Sequence, residues 1–309
     1  MVGALSDTTL FDRSLSLTIG SPTDPSVNVS ANFNALNSKG LDISGLDVEF
    51  VVEKSLKPTE PNTCEIKVYN LAPDSRQALS GAKVLTVRLE AGYGSNRSQL
   101  YFADARAAWT TREHADYVTH IESTDTIARP TGEKSTRKIQ PGSNTGSLYR
   151  TMGAKVPLKQ AFQTIAAALG IGTGNLQMAL SNISGAPLTS VNGAALLGNG
   201  ARRMTDLCRS AGLEWSIQDG NLQLINIGAT LSSTKAVELN DSTGLVESPS
   251  VDSQGALTLK TLLIPGLAPG VLIKVDSLFV SGGYRIEKIR YVGNTRGQDW
   301  YAEISAARY

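Results

Sequence analysis

The side chains best suited to acid–base chemistry near neutral pH are two histidines, His114 and His120, six residues apart. A helical metal pair wants ligands four residues apart, and no cysteine stands near to complete a set. His120 could serve a serine or cysteine nucleophile, but no Gly-x-Ser-x-Gly elbow supplies one. Both histidines therefore read as strand or surface residues. Cys64 and Cys208 are far apart, each within an apolar pattern, and read as buried free thiols. Five carboxylates, Asp104, Glu113, Asp116, Glu122 and Asp125, crowd one region. A glycosidase pair needs only spatial proximity, so they are the candidates for acid–base work. Alternating strands ordinarily carry such residues on the wet face, and that is the expectation here.

Phosphate chemistry is poorly signalled. Gly132-Glu-Lys-Ser135 is like the end of a P-loop, but Glu133 stands where the glycine before the lysine is required. Gly170-Ile-Gly-Thr-Gly174 follows an expected helix rather than a strand, so it reads as a helix stop and loop. The basic run 129–138 holds Lys134, Arg137 and Lys138, but Pro130, Gly132 and Glu133 interrupt it. It reads as a solvated loop. Net charge is +1, so no strong global field draws nucleic acid or anionic lipid.

The elements that would position these residues are mostly strands. The 309 residues suffice for two or three domains with full cores. Charged residues are 18% and aromatics 6%, a balance that suits turn-rich β structure over a charged helical protein. Residues 1–6 lack a basic, then apolar, leader, and no stretch is long and apolar enough to span a bilayer. The expectation is a chain made in the cytosol, without membrane insertion.

Up to about residue 130, short alternating runs predict strands at 15–19, 47–54, 64–69, 83–93, 100–110 and 117–125, with a helical turn at 75–80. Lys57-Pro-Thr-Glu-Pro-Asn62 predicts a turn. Residues 131–145 read as a linker. Helices follow at 157–169, with Pro157 at its first position and Gly170 as its stop, and at 201–211, ended by Gly212. Between them, 171–200 reads as loop. A hairpin of 213–217 and 221–225 turns on Asp219-Gly220. Strands return at 257–263 and 271–275. The chain closes on a ribbon that turns at Gly293-Asn-Thr-Arg-Gly297. Its alternation puts Tyr284, Ile286, Lys288, Arg290 and Val292 on one face, and Arg285, Glu287, Ile289 and Tyr291 on the other.

Two stretches carry a family likeness. One is 48–71, with a strand, Glu60-Pro-Asn-Thr63, a second strand and Tyr69-Asn-Leu71. The other is 261–275, continuing through Tyr284-Arg-Ile-Glu-Lys288 to the turn before Asp299-Trp-Tyr301. Together they resemble the N- and C-terminal domains of baseplate hub proteins of tailed bacteriophages. The helix opening Val156-Pro-Leu-Lys-Gln-Ala-Phe162 is similar to the family's inserted α+β module. Asn294 and Arg296 depart from the Asp and His frequent in relatives.

The resemblance implies a mainly β, α+β fold. Two tube-like β-barrel domains, 1–130 and 236–309, would flank a linker and small α+β domain at 131–235. It implies a homotrimer whose ring adapts a six-fold tail tube protein to a three-fold central spike protein beside other baseplate proteins. DNA would pass through the channel without specific binding, and the protein would reside in the virion tail. It implies neither catalysis, cofactor nor metal. The motif residues it marks as interface candidates are Pro61, Asn62, Asn294, Gly297, Asp299 and Trp300. The alternatives are a tail-associated polysaccharide or peptidoglycan hydrolase, and a glycan-binding tail-tip module.

Overall fold

The structure, a computed structural model, describes residues 12–20, 41–43, 45–81, 85–125, 147–152, 156–181, 189–191, 194–231 and 235–309. The expected linker 131–145, the basic run and the P-loop-like segment lie outside them.

The first part contains β1 (Arg13–Gly20), β2 (Leu41–Ile43), β3 (Val48–Ser55), β4 (Asn62–Tyr69), α1 (Pro73–Gly81), β5 (Leu85–Tyr93), β6 (Asn96–Glu113) and β7 (Asp116–Asp125). The middle contains β8 (Ser147–Met152), β9 (Val156–Pro157), α2 (Leu158–Leu169), α3 (Leu176–Ser181), β10 (Thr189–Val191), β11 (Ala194–Asn199), α4 (Gly200–Ser210), β12 (Leu213–Gln218) and β13 (Asn221–Asn226). The last part contains β14 (Val237–Leu239), β15 (Ser250–Val251), β16 (Leu257–Leu262), β17 (Leu272–Asp276), β18 (Ser281–Asn294) and β19 (Trp300–Arg308).

Strands from the first and last parts join in one 13-stranded sheet. Its order is β15-β16-β19-β18-β3-β4-β7-β6-β5-β1-β2, with β17 on β18 and β14 on β17. The join is antiparallel pairing of β18 with β3, from Lys288 opposite Ser55 to Asn294 opposite Glu49. The described strands form no closed barrel. A single apolar core runs under both parts, from Leu17 and Val52 to Tyr291 and Ile304.

The ribbon's faces differ from simple alternation. Tyr284, Ile286, Ile289 and Tyr291 are all buried. The register against β19 shifts between Ile286 and Lys288, so Glu287 is an extra residue in the ladder. A bulge of this kind resets the inward phase by one position. It lies where β18 changes neighbour, leaving β17 after Arg285 and meeting β3 from Lys288.

The middle unit has its own core. Phe162, Ile165, Ala166 and Leu169 of α2 pack with Met204 and Cys208 of α4, and with Trp215, Leu222 and Leu224 of the β12–β13 hairpin. Pro157 precedes α2 with an extended ψ of 140°, rather than occupying the first helical position. Gly170, at φ 70°, closes the helix in the left-handed region. Asn199 caps α4 by accepting the Arg202 N–H. The expected loop 171–200 contains α3, β10 and β11. Its glycines masked short elements that tertiary packing stabilises.

Gly293 sits opposite Phe50 on β3 and Trp300 on β19. A Cβ there would strike the Phe50 ring, which meets Trp300 edge-on at 5.7 Å between centroids. Gly293→Ala is expected to destabilise the chain by about 1–3 kcal/mol through overpacking. A lower urea midpoint with an unchanged slope would bear this out, whereas an unchanged midpoint would show that the ring has room to move.

Candidate functional site

The described side chains converge most densely where the tip of the β12–β13 hairpin enters the sheet. Asp219 and Gly220 have φ of 54° and 71°, the two left-handed residues a tight hairpin turn requires. Lys54, at the end of β3, is 4% exposed, and its Nζ meets both Asp219 carboxylate oxygens at 2.8 and 2.9 Å. The Phe102 N–H also donates to Asp219 Oδ1, at 3.1 Å. Asp125, at the end of β7, accepts the Gly220 N–H at 3.2 and 3.3 Å.

Asn62 binds these parts together. Its Oδ1 accepts the Ser55 N–H at 2.9 Å, and its Nδ2 donates to the Ile217 carbonyl at 2.8 Å. The same amide lies 3.3 Å from Asp125 Oδ2 and from Gln218 Oε1. Gln218 Nε2 donates to the Ser55 carbonyl at 2.8 Å. A second tie runs from Arg285 on β18 to Glu214 on β12 at 3.2 Å.

Two carboxylates and one amine thus lie close together, with Lys54 and Asp125 buried and Asp219 partly exposed. Burial first, and the charge of Asp219 second, push the Asp125 carboxyl up to about 7. The Gly220 N–H, Lys54 and Asn62 pull it back in part. The adjoining notch, lined by Pro61, Glu60 and Lys57 among others, has room for about one water. Its contacts tie the β12–β13 hairpin to the sheet.

The terminal turn forms a second constellation. Asn294 Oδ1 accepts the N–H groups of Arg296 and Gly297, while its Nδ2 donates to Glu49 at 3.0 Å. A Cβ on Gly297 would run into the Asn294 amide. Thr295 Oγ1 accepts the Val48 N–H at 2.9 Å. Arg13 of β1 donates to the carbonyls of Gly297 and Gln298 at 2.6 and 2.9 Å, and its guanidinium lies 5.7 Å from the Trp300 ring centroid. Trp300 is buried; the Asp299 side chain is exposed, and its carbonyl accepts the Asn294 N–H.

The sequence-marked residues therefore fall in two places. Pro61 and Asn62 stand at the Ser55 end of β3, and Asn294, Gly297, Asp299 and Trp300 at its Val48 end, roughly 20 Å away at strand rise. Of the five clustered carboxylates, Asp104, Glu113, Asp116 and Glu122 are exposed, as strand alternation predicts. Asp125 departs from that expectation and is buried. It falls in phase with Ile121 and Ser123, which was a signal for its inward position. Lys54 likewise falls in phase with Val48, Phe50 and Val52. Asp219 and Gln218 were legible only as parts of a hairpin, and Arg13 carried no local signal.

The remaining chemical candidates are occupied locally. His120 Nε2 lies 2.9 Å from Thr111 Oγ1, and its ring stacks on Trp109. His114 is a turn residue at φ 57°. Burial pushes the Cys64 thiol well up, and Cys208 up to about 12, so neither favours a thiolate. Trp215 and Trp300 are buried and Trp109 is partly exposed, so the tryptophans form no shared glycan platform. No helix among the described residues is long and apolar enough to cross a membrane.

No protein-family model matches the sequence, and no curated protein matches it. Solved structures do. The tail protein of prophage MuSo2 from Shewanella oneidensis aligns over 96% of this chain and 98% of its own, with a TM-score of 0.56 at 9% identity. A tail protein from Neisseria meningitidis MC58 aligns over 96% of both chains, with a TM-score of 0.58 at 8% identity. The chain shares a fold with these tail proteins.

Removing the Lys54 charge leaves Asp219 without its partner. Lys54→Met is expected to cost roughly 3 kcal/mol, at the low end for a broken buried pair, because Asp219 is 22% exposed and can recruit water. Urea unfolding measures it, and a loss too small to resolve would mean the pair contributes nothing net. The raised Asp125 pKa makes the folded state bind more protons than the unfolded state between about pH 4 and about pH 7. Stability should therefore fall as pH rises through that window and level off above it. Asp125→Asn should flatten its contribution; equal pH slopes for variant and parent would contradict the assignment.

Proposed function

We propose that the chain is a structural protein of a phage or phage-like tail, a baseplate hub whose work is assembly without catalysis. The reading includes an N-terminal β domain at 1–130, a linker and α+β domain at 131–235, and a C-terminal β domain at 236–309. Three chains form a ring in which each contributes two tube-like domains. Six such domains face the tail tube protein, while the three-fold arrangement faces the central spike protein and other baseplate proteins. DNA passes through the channel without being gripped, and the protein stays in the virion tail after assembly in the host cytoplasm.

The observation that carries this reading is the strand order β19-β18-β3-β4. Two strand–turn–strand hairpins, one from each end of the chain, meet through their first strands. Antiparallel neighbours are related by a local two-fold axis, so this arrangement presents two like units from one chain. Three copies of a two-unit chain match six-fold and three-fold neighbours with one kind of subunit. Among the described residues β2 and β15 end the sheet, and their backbone edges are natural places for contacts between copies. The shared fold with two tail proteins supports the same reading. Pro61 and Asn62 at one end of β3, and Asn294, Gly297, Asp299 and Trp300 at the other, are proposed to shape the surfaces that meet neighbours.

Light scattering on the purified protein, alone and with the spike expressed beside it, tests the ring. The expected outcome is a trimer that negative-stain images show as a ring with a central channel. A chain that stays monomeric beside its spike and is missing from purified tails would sink the proposal.

A further inference from the structure

We propose that Leu278 and Phe279 form an apolar knob through which each chain grips the central spike protein; this rests on the hub reading above. The two residues are the tip of the β17–β18 ribbon. Leu278 is 88% exposed and Phe279 78%, the most exposed large apolar side chains among the described residues. The rest of the ribbon behaves as a core element. Ile273 and Val275 are buried, and Val280 packs against the core just behind the tip.

A tight turn has no local need for leucine and phenylalanine. Such turns favour Gly, Asn and Asp, as the β12–β13 turn does with Asp219 and Gly220. At the β17–β18 tip that preference is set aside, and neither side chain gains cover within the chain. Departures of this kind gather where function shapes the sequence. The knob is also held firmly. The Ser277 N–H and Oγ–H both donate to the Val280 carbonyl, at 3.0 and 2.9 Å, and the Val280 N–H donates to Ser277 Oγ at 3.2 Å. Asp276 pairs with Ser281 immediately behind. A turn already fixed loses little freedom when its side chains are buried by a partner.

A second copy of the chain is a poor occupant. The two side chains expose on the order of 300 Å², well below the ~800 Å² per partner of a stable interface. A contact between identical chains also needs a receiving pocket on this chain, and the notch beside Pro61 has room for about one water. A bilayer is a poor occupant too. Behind the knob, exposed Lys274 and Arg308 are balanced by Glu238 and Asp276, so no net charge draws it to anionic lipid. An apolar centre within a polar rim of both signs suits a protein contact, where a few buried anchors carry most of the affinity.

Number separates spike from tube. β18 and β3 answer each other across the join, yet β18 takes β17 as a further partner and β3 takes no such strand. Among the described residues the knob therefore occurs once per chain, whereas in the hub reading the tube-like unit occurs twice. A ring of three presents six units but three knobs, and three identical contacts match a three-fold neighbour. Tyr309, 61% exposed, stands at the base of the ribbon with its N–H on the Gly283 carbonyl at 3.0 Å, and adds an aromatic ring to the same surface.

Calorimetric titration of the full-length protein with its purified spike is the test, with the double variant Leu278→Ser, Phe279→Ser beside the parent. The variant should keep the parent's urea midpoint and trimeric mass, because the tip supports neither core nor ring. Its affinity for the spike should fall by about 30-fold or more, the loss expected for a hot-spot anchor. Equal affinities overturn the knob and leave the hub reading standing. A parent that binds no spike overturns both. A variant that no longer trimerises shows that the tip joins copies of the chain, which also overturns it. So does co-sedimentation of the parent, but not the variant, with phosphatidylcholine–phosphatidylglycerol vesicles at unchanged spike affinity, which would assign the tip to a membrane.

Discussion

The pairing of β18 with β3 is the constraint from which the rest of the structure follows. It joins residues more than two hundred positions apart into one ladder, from Lys288–Ser55 to Asn294–Glu49. Such non-local pairing gives no return until both partners are in place, so its formation and that of the shared core are coupled. Val52 and Tyr291 sit opposite each other near its middle, both buried. The bulge at Glu287 makes the pairing possible, because it turns the second half of β18 into phase with β3 after the first half has served β17.

β3 carries a distinct task at each end. At its Val48 end, backbone and carboxylate groups receive the terminal turn through Thr295 and Asn294, while Arg13 braces the turn from β1. At its Ser55 end, Lys54, Ser55 and the following Asn62 receive the hairpin of the middle unit. A single eight-residue strand therefore fixes how all three parts of the chain meet. The two ends use different chemistry for a physical reason. The turn is near solvent, where ordinary hydrogen bonds and a stacked guanidinium suffice. The hairpin tip is half-buried against the buried Lys54, Ser55, Asn62 and Asp125, where polar groups need partners and charge must be nearly balanced.

That balance gives the socket its properties. One amine stands near two carboxylates, so one carboxyl is driven toward its neutral form, and Asp125 is the more deeply buried of the two. Asn62 suits this place because a single amide both accepts and donates, satisfying Ser55 and Ile217 at once. Aspartate there would add a third negative charge, and alanine would leave the Ser55 N–H without its partner.

Local pattern made much of the chain legible. Alternation located the long strands, and apolar spacing with glycine stops located α2 and α4. Asp219-Gly220 announced its hairpin, because only residues that tolerate positive φ close so tight a turn. The motifs around Asn62 and Asn294 marked both ends of β3 without revealing that one strand connects them. Tertiary structure alone decided that the first and last parts share a sheet, since strand pairing is a relation between distant segments and leaves no local trace. It also decided the inward phase of Ile289 and Tyr291, because a bulge shifts register without changing composition. Lys54, Asp125 and Asp219 look like three unrelated charges along the sequence. They became a site only when folding brought them together and buried Lys54 and Asp125, which is what makes their mutual charges count.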